Sequence, residues 1–318
     1  MQNDTQRNGA GMNILVTGGA GFIGSNIVDA YLALGHSVVV IDDLSSGREK
    51  NVSKDALFYK MDIRDKNLQE IFTKHRIEFV CHQAARGDVR GSVERPMEYA
   101  DVNVCGGINL LQCSVQSRVK GFIYSSTGGC VYGEPQFVPT TEEHPMQPRD
   151  PYGASKASFE LYVDTYRQLY GLEYTIFRYP NVFGPRQNPF GEAGVVSIFT
   201  KKMLQHEQVI INGDGTQVRD YIFVKDVVRA NMLATERNAN TVFNLGSGRG
   251  TDVNTLFGEL KKITGYPHEA LHGPAKLGEV QRSILSAEKI NKRWGWEQQF
   301  SLIEGLQQTI DFIKIHEV

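Results

Sequence analysis

The sequence predicts an α/β fold: a doubly wound parallel sheet followed by a smaller α/β substrate lobe at the C-terminal side. Three observations predict it. Short apolar runs alternate with amphipathic ones through the first half, a glycine-rich turn follows the first run, and the texture changes beyond Asn181. Strands alternating with helices at this spacing form βαβ units, and their sheet is covered on both faces.

The elements follow in order. "NILVTG" (13–18) reads as a buried strand and "SNIVDAYLALG" (25–35) as a helix ending at Gly35. "SVVVIDD" (37–43) is the second strand and "ALFYKMDI" (56–63) the third. A helical stretch covers 67–75, then come the strand "EFVCHQAA" (78–85), a helix over 99–117 and the strand "GFIYSS" (121–126). "YTIFRYPNVFGP" (174–185) reads as one further strand running into a loop. Beyond it, glycine- and proline-rich segments such as "NGDGTQVRD" and "HGPAKLGEV" separate short elements. The expected division is a disordered or tag-like tail over 1–11, a dinucleotide-binding domain over 12–181 and a lobe over 182–318. Segments around 220–248 are expected to return to the first domain. Ligands of such sheets bind at the carboxyl ends of the strands, where a second lobe closes a cleft.

Composition narrows the function. The 318 residues carry 34 basic and 36 acidic side chains, a net charge of −2. That balance offers no electrostatic footprint for nucleic acid or an anionic membrane. No apolar stretch approaches the ~18 residues of a membrane span. Cys81, Cys105, Cys113 and Cys130 show no CxxC spacing, which reads as reduced thiols in a cytoplasmic protein.

"TGGAGFIGSN" (17–26) puts Gly18, Gly21 and Gly24 between a strand and a helix. Such glycines allow a tight turn and close approach of backbone to a pyrophosphate, which the helix N-terminus stabilises. The next strand ends in Asp42, whose carboxylate suits both ribose hydroxyls of NAD and repels the 2′-phosphate of NADP. Asp43 is expected to add to that repulsion. Asp62 and Ile63, in "MDIRD", are placed to meet the adenine, and small Ala84 and Ala85 let the dinucleotide lie against the backbone. His82 has no metal-spaced partner and reads as a packed strand histidine; no metal site is expected.

"PYGASKASFELY" sets Tyr152 four residues before Lys156, on one helical face. Tyrosine is a poor base at its free pKa of ~10. A nearby ammonium and a positive nicotinamide would favour the phenolate, and lowering the pKa to near 7 takes roughly 4 kcal/mol. Ser125, Ser126 and Thr127 end a buried strand in "SSTGGCVYGE", in reach of the same chemistry.

These motifs carry a resemblance. From Met12 to Lys314 the chain resembles the extended short-chain dehydrogenase/reductases, in their nucleotide-sugar epimerase/dehydratase branch, with its nearest likeness to the UDP-glucose 4-epimerases. "DDLSSG", "HQAA", "NVCGGINLL", "RYPNVFGPRQ", "GDGTQVRDYIFVKDVVRA" and "VFNLGSG" carry it alongside the motifs above. The resemblance implies a Rossmann-type sheet and NAD as a cofactor regenerated in each cycle. It implies inversion at C4 of a UDP-hexose through a transient 4-keto sugar. Tyr152 would be the base, Lys156 would hold the nicotinamide ribose, and Ser126 or Thr127 would relay the proton. It adds Phe22, Ile23, Ser46, Gly47, Gln83, Asn103, Ser125 and Tyr179 to the cofactor contacts.

On the substrate side it implies Asn181, Gly194 and Val195 near the diphosphate, Ile210 and Asn212 beside the uracil, and Tyr221 close by. Arg219 is the strongest phosphate candidate, since a guanidinium fork matches phosphate oxygens. The family's late "R-x-G-D" element is "KLGE" here, with Lys276 and Glu279. A lysine neutralises phosphate only as a point charge. Ser283 falls where members gate the sugar's C2 substituent, and its small size leaves room for an N-acetyl group. The resemblance also implies a homodimer through the helices near 99–117 and 152–170. A sugar dehydratase needs an acid pair directly after the threonine, where this chain has Gly128 and Gly129. A UDP-glucuronate epimerase or decarboxylase starts with the same C4 oxidation and stays open. A NAD-sensing regulator without catalysis is disfavoured because Tyr152 and Lys156 are both retained.

Overall fold

The fold is taken from a computed structural model, which describes residues 11–190, 194–275 and 280–317. The expected tail, apart from Gly11, and the expected contacts Lys276 and Glu279 lie outside the described residues. The chain begins with β1 (Asn13–Thr17), α1 (Phe22–Ala33), β2 (Ser37–Asp42), β3 (Leu57–Lys60), α2 (Leu68–His75) and β4 (Phe79–His82). Helices α3 (Val89–Glu94), α4 (Pro96–Ala100) and α5 (Gly107–Gln116) follow, with a π-helical stretch at Asp101–Gly106 joining the last two. Then come β5 (Gly121–Thr127), α6 (Pro151–Tyr170) and β6 (Tyr174–Tyr179).

These strands and a later one, β10 (Thr241–Asn244), form a seven-stranded sheet in the order β10-β6-β5-β4-β1-β2-β3, every neighbouring pair parallel. Chain order reverses between β1 and β4, so ligands are expected above their carboxyl ends. Two apolar cores cover the faces. One sets Ile27, Val28 and Tyr31 of α1 against Val227 and Ala230. The other sets Phe72, Leu110, Leu111, Phe159 and Val163 against Leu15, Val80 and Phe122.

The remaining elements are β7 (Asn181–Phe183), α7 (Val195–Leu204), β8 (Ile210–Asn212), β9 (Val218–Phe223), α8 (Val224–Glu236), β10 (Thr241–Asn244), β11 (Gly250–Asp252) and α9 (Val253–Thr264). β12 (Leu271–Gly273), β13 (Arg282–Ser283), α10 (Glu288–Trp294) and α11 (Leu302–His316) complete it. The strand expected over 174–185 is split at Pro180, which has no N–H for a ladder. β6 stays in the large sheet, while β7 pairs with β9. β10 pairs with β6 and extends the large sheet. A separate core joins Phe183, Phe199, Phe223, Phe257 and Leu306 under α7, α9 and α11. Among the described residues no helix is long and apolar enough to cross a membrane.

Candidate active site

A cavity of about 470 Å³ lies at the carboxyl ends of β1, β2, β4, β5 and β6, bounded on its far side by the β6–α7 connection. Its cofactor end begins at Gly18, whose φ of +70° suits glycine. A Cβ at Gly24 would lie 2.2 Å from the Gly18 carbonyl oxygen, so only glycine lets α1 start so close to β1. Gly21 occupies the cap position of α1 and has no side chain to bond its free amides. Those amides therefore meet the cavity, where Gly21, Phe22, Ile23 and Gly24 all line the wall.

Asp42 also lines it, accepting bonds from the Ala20 and Leu44 amides at 3.0 and 2.8 Å. Burial raises its pKa from the ordinary carboxylate value, against those two amides. Asp43 lies differently from the expectation. Its carboxylate pairs with Arg86 at 2.9 Å, and burial is outweighed by Ser45 and Arg86, which hold its pKa below the ordinary value. Asp43 also lines the cavity, but with its charge paired. Ser46, Asp62, Ile63, Gln83, Ala84, Ala85 and Tyr179 line the cavity. Gly47 does not; its missing side chain lets the loop lie against the Asp42 carboxylate, 2.8 Å from where a Cβ would be. Asn103, in the π-helical stretch, is buried behind the wall and clamps the Arg86 backbone at 2.8 and 3.1 Å and Ser155 at 2.9 Å. His82 is packed as expected, bonded to Thr17 at 2.7 Å and stacked on Tyr124.

At the chemical end, three successive hydroxyls diverge. Ser125 donates to the His82 carbonyl at 3.1 Å. Ser126 donates to the buried Glu160 carboxylate. Thr127 sits by the Tyr152 phenol, whose pKa its hydroxyl lowers, and by the Cys130 thiol. All three line the cavity with Tyr152 and Lys156. Glu160 is held in turn by Arg178, which reaches it at 2.6, 3.0 and 3.2 Å. Arg178 also donates to the Tyr132 hydroxyl at 2.7 Å. α6 starts at Asp150, whose carboxylate accepts the Gly153 amide at 2.7 Å, and this cap fixes where Tyr152 sits.

The expected depression of the phenol is not supplied by the protein's own groups. Burial first, then Cys130 and Asp150, push the Tyr152 pKa well up, and the Thr127 hydroxyl opposes them. Lys156 is pushed down to about 7 by burial, with Glu160 opposing. Its ammonium lies 4.6 Å from the Tyr124 ring centroid.

At the substrate end, Asn181, Gly194, Val195 and Tyr221 line the cavity. α7 begins at Gly194, which has no side chain to cap it, and offers a second set of free amides. Arg219 lies outside the lining; its charge lowers the pKa of the Cys130 thiol against the larger effect of burial. Ser283 is buried and in register with Arg219. Ile210 and Asn212 sit apart from the cavity in β8, paired with β12. Gly128 contributes packing as well as the lack of an acid: a Cβ there would lie 2.3 Å from Leu285. Sequence reasoning missed Arg48, Arg86, Arg186, Gln187 and Asn188, which all line the cavity. Their signal was cationic and amide side chains inside the loops just after recognised motifs, "SSGRE", "HQAARG" and "GPRQN". Among the described residues no group of three or more His, Cys, Asp or Glu could hold a metal ion.

Comparison with known proteins gives the family and the fold. The model of the NAD dependent epimerase/dehydratase family matches residues 14–246. The UDP-glucose 4-epimerase of Mycolicibacterium smegmatis is 40% identical over 309 residues, covering 95% of this chain and 99% of that protein. The solved UDP-glucose 4-epimerase of Thermotoga maritima with UDP-glucose is 51% identical, with a TM-score of 0.94 over 96% of this chain and 99% of its own. That of Thermus thermophilus in complex with NAD is 40% identical, with a TM-score of 0.92 over 96% of this chain and 100% of its own.

Proposed function

The chain belongs to the NAD dependent epimerase/dehydratase family, and we propose that it inverts C4 of UDP-glucose and UDP-galactose, interconverting them. The cavity fits a dinucleotide: the bare N-terminus of α1 suits a pyrophosphate, Asp42 suits a ribose diol, and Ala84 and Ala85 leave the wall shallow. NAD, when bound, supplies the reversible two-electron oxidation of the C4 carbinol.

The chain's own residues do the rest. Tyr152 acts as the phenolate, which a bound positive nicotinamide and the Lys156 ammonium would favour against burial; it takes the proton of the 4-hydroxyl and returns it, with the Thr127 hydroxyl beside it to share it. Ser126 is committed to Glu160 and steadies the strand end. Lys156, titrating near neutrality, places a switchable positive charge beside the sugar and the nicotinamide ribose. The free amides of α7 and Asn181 hold the diphosphate, so the 4-keto sugar can turn over while tethered. Gly128 and Gly129 put no acid beside C5 and C6, which leaves inversion rather than elimination.

The observation that carries this reading is the convergence of Thr127 on Tyr152 across the cavity from the bare end of α1. The N-acetylated UDP-hexoses enter the proposal as further substrates through the small Ser283, which is buried beside Arg219 and outside the cavity lining. Proton NMR of the protein with UDP-glucose, UDP-galactose, their N-acetyl forms and UDP-glucuronate tests both points. Interconversion of the first two is expected; activity confined to UDP-glucuronate would replace the proposal.

A homodimer through α5 and α6 belongs to the same proposal. Leu161, Tyr162 and Leu169 are exposed on α6, whereas Phe159 and Tyr166 are buried in the protomer's own core.

A further inference from the structure

The cofactor half of the cavity is covered by the loop over 43–51, which follows β2. Its backbone rests on the glycine turn, with the Arg48 amide and the Asn51 side chain donating to the Ala20 carbonyl at 2.9 and 3.1 Å. Asp43 and Ser45 at one end of this loop are held by Arg86. At the other end Arg48 projects to two remote segments. One guanidinium nitrogen donates to both carboxylate oxygens of Glu317, at 2.7 and 2.9 Å. The second donates to the Asn188 side-chain oxygen at 2.9 Å. Lys50 adds a contact to Glu317 at 2.9 Å. Asn188 is itself fixed in the substrate lobe: its side-chain oxygen also accepts the Phe190 amide at 3.0 Å, and its carbonyl accepts Ser197 of α7 at 3.2 Å. Arg48 and Asn188 line the cavity and Glu317, just past α11, does not.

We propose that Glu317 is a positioning residue for the dinucleotide: acting through Arg48, it latches the 43–51 loop to the substrate lobe and sets the rate at which NAD leaves. This rests on the reading that NAD is the bound cofactor. A cofactor regenerated in each cycle has to stay in place, and Asp43, Ser45, Ser46, Arg48 and Asn51 of this loop line its half of the cavity. An isolated surface ion pair contributes little. This one differs, because one Arg48 nitrogen reaches both oxygens of a Glu317 side chain only 10% exposed, and the contact couples three segments. Lys50 and Arg48 hold the Glu317 carboxyl below its ordinary pKa despite partial burial, so it stays charged at neutral pH.

The test is NAD release from the loaded protein, followed by rapid gel filtration and assay of the retained nucleotide. Glu317→Gln keeps the shape and removes the charge; release about tenfold faster is expected, as for loss of a charge-assisted hydrogen bond. Lys50→Gln should accelerate release about twofold, as befits an exposed pair. The melting temperature of the stripped Glu317→Gln protein should lie within about 4 °C of the parent, the scale of one lost ion pair. Release at the parental rate overturns the latch, as does faster release accompanied by a larger fall in melting temperature. A parent protein that retains no NAD at all would instead overturn the cofactor reading on which the latch rests.

Discussion

At the cofactor end of the cavity, binding groups are mostly backbone: the amides opening α1, the close turn at Gly18 and Gly24, and the shallow wall at Ala84 and Ala85. At the sugar end they are side chains carried on β5, α6 and the β6–α7 connection, several of them buried and titratable. Backbone sites tolerate little change of shape, because a single added methyl meets a fixed carbonyl. Side-chain sites tolerate shape but depend on which partner each polar group takes. Four substitutions probe this contrast.

The largest effect is expected among the hydroxyls of β5. Thr127→Val should lower kcat about 100-fold, the scale of a lost acid–base partner. Ser126→Ala should leave kcat within a few-fold, since its hydroxyl is already bonded to Glu160. Steady-state rates with UDP-glucose decide it, and equal losses would show that both hydroxyls reach the sugar. Next comes Gly24→Ala at the backbone end. Its methyl would meet the Gly18 oxygen at 2.2 Å, and overpacking of this kind costs about 2 kcal/mol. Thermal denaturation and NAD content should both fall; an unchanged protein would mean that the turn adapts and the contrast is weaker than drawn.

The smallest effect concerns Lys156. Burial lowers its pKa to about 7 and the Glu160 carboxylate opposes that fall. The ammonium is therefore present below about pH 7 and lost as the pH rises through it. Glu160→Gln removes the opposing charge, so the lysine should lose its proton at a still lower pH. NMR titration of the lysine side chains reads this directly. A titration that stays at the parental pH would show that Glu160 serves Ser126 and Arg178 alone.

Much of the cofactor end is legible in the sequence because its signals are local. The strand, turn and helix around Gly18, Gly21 and Gly24 lie in one short stretch, and their geometry needs no distant partner. The pairing of Tyr152 with Lys156 is legible for the same reason, since helical spacing puts them on one face. The sequence pattern starts the first helix at Ser25, whereas the structure starts it at Phe22, because the glycine turn passes directly into α1. The stretch 174–185 reads as a strand running into a loop, and the short β7 after Pro180 is not legible there because its partner β9 is distant in sequence.

What the sequence determined by itself is the order of most strands and helices up to β6, the glycine turn and the residue types of the chemical site. Each follows from periodicity and backbone stereochemistry within a few residues. Only the tertiary structure decided that Ser126 faces Glu160 while Thr127 meets Tyr152, that Arg86 neutralises Asp43, and that β10 extends the sheet beside β6. It alone brought Arg48 to Glu317, 269 positions away. Such partners are selected by how the sheet and the second lobe pack, and a side chain's role follows from the partner it finds there.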